Sequence, residues 1–334
     1  MSSRIMRASA AALALTTALA LAACSDDNDD ATDTANTASA TSASTDSFPV
    51  SVDTKFGEVE VAEQPQRVVA LGWGDAEIAT ELGVQPVGVS DWLAFGGDGL
   101  SPWAAASYDE SPEQLGTMEL DYEKIAALEP DLILNVRASG DEATYDKLSD
   151  IAPTISVPEG ADTFTTPWDT QVEMIATALG TKEKGTDLVA EVNDKISEIA
   201  DDHPEWADLT GTVLARTSEE WGAYVPGDAR ADLLTALGFQ PDPDVIALAG
   251  DSFYVSLSEE TVDTADADVI VAFPIGIAES ELTGDSSWKQ LTAVKNGRAV
   301  IADEDLANAI SLGTPASILY ALDLLVPLLQ DATA

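Results

Sequence analysis

The sequence predicts an α/β protein built from two similar lobes joined by one long helix. Three observations predict it: a strand–helix–strand pattern that begins at Arg67, an internal repeat, and a long amphipathic stretch between the two copies.

The pattern opens with Val68-Val69-Ala70-Leu71, an apolar run of strand length, followed by Gly72-Trp73-Gly74-Asp75. An amphipathic stretch then runs to Leu82-Gly83, where the glycine is placed as a helix C-cap, and Val87-Gly88-Val89 is a second short strand. This order and spacing imply a βαβ unit on a parallel sheet.

The repeat is carried by Leu120-Asp121-Tyr122-Glu123-Lys124-Ile125 through Pro130-Asp131-Leu132-Ile133. It recurs as Leu257-Ser258-Glu259-Glu260-Thr261-Val262 through Ala267-Asp268-Val269-Ile270, 137 positions later. Asp121 and Ser258 are good N-cap types. The short helices they open lead into apolar strands, Leu132 to Val136 and Val269 to Phe273. A second pair, Leu82-Gly83-Val84-Gln85-Pro86 and Leu237-Gly238-Phe239-Gln240-Pro241, falls in the same order, so two similarly built lobes follow.

Between the copies, Asp169 to Leu179 has helical periodicity and stops at Gly180. Thr181 to Ala200 then forms a longer amphipathic pattern with Leu188, Val189, Val192 and Ile196 on its apolar face. A helical connector is stiffer than crossing strands, so large hinge closure is not expected.

The N-terminal segment reads as a processing signal. Arg4 and Arg7 lead an apolar run from Ala8 to Ala20 that is too short to span a bilayer, and it ends at Leu21-Ala22-Ala23-Cys24, which matches a bacterial lipobox. Cys24, the only cysteine, is thus the expected lipid anchor, and an intramolecular disulfide is ruled out. Residues from Ser25 to Ser47 are mostly Ala, Thr, Ser and Asp, too polar to offset ordering entropy, and are expected to be a flexible acidic tether. The expected organisation is a signal peptide over 1–23, tether over 24–47, N-terminal lobe over 48–167, connecting helices over 168–208 and C-terminal lobe over 209–334. The mature chain would sit on the outer face of the cytoplasmic membrane, held by lipid alone.

The chain has 15 basic and 60 acidic residues; without Arg4 and Arg7 the balance is 13 against 60, a net charge of −47. Nucleic acid is excluded as a partner. Spread along the chain, the acidity reads as a solvated surface.

From Pro65 onward the sequence resembles the helix-linked substrate-binding proteins that deliver ferric siderophores, haem or cobalamin to ABC importers. The resemblance is carried by Pro65-Gln66-Arg67-Val68-Val69-Ala70, Leu82-Gly83, Ile125 to Ile133, Leu179-Gly180 and Tyr224-Val225-Pro226-Gly227 before Leu233-Leu234. Trp288, Leu291, Val294-Lys295-Asn296-Gly297-Arg298 and a closing helix from Pro315 to Leu329 add to it. It implies two Rossmann-like lobes joined by a single long α-helix with a ligand groove between them, and a monomer with no cofactor whose ligand is a ferric siderophore. The resemblance further implies that one glutamate on each lobe docks onto the ABC permease. Glu142 stands at the position the motif suggests, and the repeat offset nominates Glu279.

Ligands of open parallel sheets sit beyond the C-terminal ends of strands. The loops there hold Trp73, Trp92, Arg137, Arg216 with Trp221 and Tyr224 close behind, and Phe273. Arg137 and Arg216 are two of only five arginines left after processing, and a guanidinium presents several donors in one plane to the oxygens of a hydroxamate, catecholate or carboxylate. A bare transition metal is disfavoured because His203 is the only histidine; haem would lack a histidine ligand, though tyrosine could serve. Charge favours a neutral or cationic ferric hydroxamate over an anionic triscatecholate. An enzyme is the main rival class, and a surface adhesion protein a second. The sequence holds no G-x-S-x-G elbow, P-loop or G-x-G-x-x-G fingerprint, and adhesion leaves the aromatic and arginine loops unexplained.

Overall fold

The computed structural model describes residues 47–334 except 118, 162 and 251. The signal peptide, Cys24 and all of the tether before its last residue lie outside the described residues.

The first lobe begins with an antiparallel hairpin of β1 (Val50–Thr54) and β2 (Gly57–Val61), which the sequence pattern did not suggest. Then come β3 (Val68–Ala70), α1 (Asp75–Glu81), β4 (Gly88–Ser90), β5 (Glu113–Leu115), α2 (Tyr122–Ala127), β6 (Leu132–Leu134), α3 (Glu142–Ser149), β7 (Thr154–Ile155) and α4 (Trp168–Ala178). The five strands from β3 to β7 form an all-parallel sheet in the order β5-β4-β3-β6-β7. Its central strands are continuous apolar runs because both faces are covered. Val69 and Ile133 pack with Ile125 and Leu148 on one side, while Val68, Ala70, Leu132 and Leu134 pack with α1 and α4 on the other. The expected boundary at residue 168 is therefore corrected: Val172, Met174, Ile175, Ala176 and Ala178 place α4 inside the first lobe's core.

The connector is α5 alone (Lys182–Asp202), 21 residues, about 31 Å long at 1.5 Å per residue. Its apolar stripe changes lobes along its length. Leu188 and Val189 rest on the first lobe's core, and Val192, Ile196 and Ile199 are buried in the second's. A Cβ at Gly185 would lie 2.4 Å from that of Ala176, so glycine lets α4 and α5 cross closely.

The second lobe contains β8 (Thr210–Arg216), β9 (Trp221–Tyr224), α6 (Ala229–Ala236), β10 (Gln240–Pro241), α7 (Pro243–Ala249), β11 (Tyr254–Leu257), β12 (Val269–Pro274), α8 (Glu279–Gly284), α9 (Thr292–Lys295), β13 (Ala299–Ile301), α10 (Glu304–Leu312) and α11 (Pro315–Thr333). The sheet runs β11-β9-β8-β12-β13, with β10 also beside β8. It is mixed, unlike the first: β9 runs antiparallel to both β8 and β11, and it is folded back from β8 by a tight turn in which Thr217 N–H donates to Glu220 O.

Both sequence repeats have a structural counterpart. At Leu82-Gly83 and Leu237-Gly238 the helix ends identically. Gly83 and Gly238 adopt φ of 93° and 109°, and the following Val84 and Phe239 N–H groups donate back to Ala79 O and Leu234 O. Asp121 caps α2 by accepting from Lys124 N–H at 3.1 Å. The expected helix after Ser258 is corrected to a turn and a single 3₁₀ turn, Val262–Ala265.

Candidate functional site

Residues that follow the C-terminal ends of β4, β12 and β13 meet in one cavity of about 620 Å³ between the lobes. Trp92 and Leu93 come from the first lobe. Arg230, Phe273, Ile275 and Asn308 come from the second, with the carboxylates of Glu279, Asp303 and Glu304 on the same lining.

Behind Trp92 stands a stack of three rings. Trp73 lies 3.9 Å from Trp92 and 3.8 Å from Phe164, all nearly parallel. Phe164, which the sequence reading missed, and Thr163 have φ of 66° and 63°, a left-handed conformation that costs about 1–2 kcal/mol per residue. It is held by N–H bonds to Ala138 O and Ser139 O. The loop under Trp73 is equally fixed. Trp73 N–H donates to Arg137 O, Gln171 Nε2 donates to Trp73 O and to Asp75 Oδ1 (2.6 Å), and Val136 N–H donates to Asp75 Oδ2 (2.8 Å). Burial pushes the Asp75 carboxyl up to about 6, and these donors only partly offset it. A Cβ at Gly72 would lie 2.3 Å from Asp75 Oδ2, which restricts that position to glycine.

Arg137 is buried and spans the seam between the lobes. It donates through Nε to Phe164 O (3.1 Å), through Nη1 to Leu312 O (2.5 Å) and weakly through Nη2 to Ser311 O (3.5 Å), so it covers the carbonyl end of α10. Its guanidinium lies 6.0 Å from the Trp92 ring and borders a second, smaller cavity of about 230 Å³ that Asp169, Ile196 and Asp232 also line. Burial lowers its pKa to about 10, leaving it charged at neutral pH. The seam is tied further by Glu77, which accepts from Ser101 N–H (2.9 Å) and Thr314 Oγ1 (3.0 Å), and by Trp103 stacked on Tyr320 at 5.0 Å.

On the second lobe, strand alternation sorts the expected residues. Val213, Ala215, Val269, Val271 and Phe273 point toward α5, α10 and α11, while Leu214, Ala223, Ile270 and Ala272 point to the opposite face. Tyr224 shares the face of Phe273, with ring centroids 6.1 Å apart. Trp221 is three residues from Tyr224 and so faces the other way. It is fully buried and stacked on Trp288, which corrects its expected place in the groove. Arg216 pairs directly across from Trp221 and shares its face. Its guanidinium meets Asp285 and Glu259, each at 3.4 Å, and Thr217 O, so its expected ligand role is corrected as well. Neither residue lines the cavity.

The arginine that does line it is Arg230, which sequence reasoning passed over because it sits in the first turn of α6 and not in the loop directly after a strand. Its guanidinium carbon lies over the Tyr224 ring, 3.8 Å from the centre. Asp228 grips it with two bonds, to Nε at 2.8 Å and Nη2 at 2.7 Å, and Nη1 donates to Ser311 Oγ at 3.3 Å. The available signal was the Tyr224–Arg230 spacing behind Asp228, a residue type that opens helices.

Glu142 and Glu279 are the first residues of α3 and α8, each exposed, and each helix follows the repeated strand of its lobe. Glu279 also borders the larger cavity. His203 ends α5 between Glu205 and Gln330, at 3.0 and 2.9 Å, stacked on Trp206. Among the described residues no group of three or more His, Cys, Asp or Glu side chains is gathered as a metal site.

The family model for periplasmic binding proteins matches residues 68–306. The chain belongs to that family. It is a binding protein and not an enzyme, and its two lobes and linking helix are those of its structural neighbours. Over 260 residues this periplasmic binding protein is 29% identical to the probable siderophore-binding lipoprotein YfiY of Bacillus subtilis, covering 73% of this chain and 77% of the relative. The Fe(3+)-citrate-binding protein YfmC of the same organism is 28% identical over 262 residues, 75% of this chain and 76% of its own. The crystal structure of PiaA from Streptococcus pneumoniae in complex with ferrichrome aligns with a TM-score of 0.69 at 27% identity, covering 85% of this chain and 98% of that one.

Proposed function

We propose that this periplasmic binding protein captures an iron(III)–siderophore complex, a hydroxamate in preference to other classes, and hands it to an ABC permease. The observation that carries this reading is the interlobe cavity of about 620 Å³, walled by Trp92 and Phe273 and edged by the Arg230 guanidinium. A ferric siderophore brings its own donor oxygens to iron, so the protein needs only an apolar wall and a few hydrogen-bond donors around the shell. Arg230 keeps one N–H on each terminal nitrogen beyond its bonds to Asp228 and Ser311, enough for two acceptor oxygens of a hydroxamate. The similarity to a probable siderophore-binding lipoprotein and to a ferrichrome-bound structure supports the class. In this reading the chain is held outside the cytoplasmic membrane by lipid on Cys24 and docks to the permease through Glu142 and Glu279.

Tryptophan fluorescence tests the ligand, because Trp92 lines the cavity and Trp73 stacks directly behind it. Quenching by ferrichrome at sub-micromolar concentration, with none by haem or cobalamin, is the expected result. Quenching by ferric citrate alone would refute the hydroxamate preference, and no quenching by any iron complex would refute the function. Docking is tested with Glu142→Arg, which lies away from the cavity: iron uptake should fall with ligand affinity unchanged, and full uptake would remove Glu142 from the interface.

A further inference from the structure

We propose that Asp228 sets the charge preference of the groove: by neutralising Arg230 it leaves the cavity anionic, so that among ferric complexes of one shape a cationic one binds tightest. This rests on the reading of the cavity as the ferric-siderophore site and names the charge class it takes.

The argument starts from what lines the cavity. One guanidinium, Arg230, faces three carboxylates, Glu279, Asp303 and Glu304. The guanidinium is itself held by a buried carboxylate through two bonds from Nε and Nη2 to Asp228, and Tyr224 lies against it. Such a pair presents donors to the groove while adding almost no net charge. Arg137, the other buried guanidinium at the seam, spends its donors on the carbonyls of Phe164, Ser311 and Leu312 and borders the smaller cavity instead. What remains facing the ligand is donor edges and carboxylates that no described cation pairs, Asp303 also capping α10 by accepting from Leu306 N–H at 2.9 Å. A neutral trishydroxamate shell suits the donors, and a pendant ammonium suits the carboxylates. A polyanionic ferric complex meets Arg230 already paired and three like charges beside it.

Ferrioxamine B carries a pendant ammonium on a neutral ferric trishydroxamate, and its N-acetylated form is the same complex without that charge. Titration of the whole protein with both, followed by tryptophan quenching, gives a ratio of affinities in which the shared trishydroxamate shell cancels, and the part of it that fades in high salt is the charge and not the added acetyl group. The wild type should bind the ammonium form about tenfold more tightly. Asp228→Asn, which keeps the side-chain size and frees the Arg230 charge, should lower that ratio several-fold, and ferric citrate should bind more tightly than before. Asp228→Glu should retain it. Because Asp228 is buried and its substitution also perturbs packing, Glu304→Gln on the exposed rim is the second variant. It should lower the ratio by about twofold, and the effect should fade in high salt.

A wild-type protein that binds neither form overturns the siderophore reading and this inference with it. Binding of both forms with a ratio near one, or a ratio unmoved in Asp228→Asn and Glu304→Gln, overturns the charge assignment alone. A loss of both affinities in parallel would assign Asp228 a purely structural role.

Discussion

Asp75 offers a test of the loop that carries Trp73. Its carboxyl is fully buried, accepts from Val136 N–H and Gln171 Nε2, and has its pKa raised from 3.8 to about 6 by burial. The sign follows from linkage. The folded state holds the proton more tightly than the unfolded chain, so stability from this group is fully present below pH 4 and is lost as pH rises through 6. A shift of about two units corresponds to about 3 kcal/mol over the whole titration, of which roughly 2 kcal/mol falls between pH 4 and 7. Urea unfolding of the wild type and Asp75→Asn at pH 4, 5, 6 and 7 isolates this contribution, since other titrating groups, including the Glu81 carboxyl that burial and its neighbours Glu77 and Glu191 raise to about 7, largely cancel in the difference. The wild-type stability relative to the variant should fall by roughly 2 kcal/mol across that range. Parallel curves would show that Asp75 stays ionised throughout and that the donors around it outweigh its desolvation.

Three further substitutions separate the site from its scaffold. Trp221→Ala should cost about 3–5 kcal/mol in urea unfolding, as a fully buried aromatic does, while the surviving folded protein keeps its ligand affinity. Arg216→Ala leaves Asp285 without its cation and should cost about 1–3 kcal/mol in stability, with ligand dissociation constants within about twofold of wild type by calorimetry. Trp92→Ala removes a wall of the cavity and should weaken ligand binding by about tenfold or more at nearly unchanged melting temperature; an unaltered affinity would move the ligand away from Trp92.

Much of the fold was legible because it rests on local signals. The Leu-Gly helix ends, the Asp121 cap and the apolar runs of β3 and β6 each report on a few neighbouring residues. The second lobe was harder because its insertion of β9 and β11 reverses direction through a four-residue polar turn that reads as any loop. The hairpin of β1 and β2 was missed because its strands alternate charged and apolar residues with only Val52, Thr54 and Val61 buried.

At the site, Trp92 and Phe273 line the cavity while Trp73 stacks behind Trp92 and Tyr224 lies against Arg230, and sequence position could not tell which face of a strand a residue takes once an antiparallel insertion intervenes. Parity answers that question. Arg216 and Trp221 are register partners on one face, and Tyr224, three residues on, must lie on the other. The same logic explains why an arginine in the first turn of α6 reaches the cavity: Tyr224 ends its strand on the face it shares with Phe273, and the Asp228 cap turns the chain so that Arg230 lies back over that ring. A guanidinium so placed is held by two partners before any ligand arrives, and that prior commitment decides what it offers. The number of arginines in the sequence therefore does not give the positive charge available to a ligand. Arg230 is paired to Asp228 at the cavity, Arg137 to carbonyls at the seam and Arg216 to Asp285 and Glu259 away from it, so the balance at the groove is left to the carboxylates on its lining.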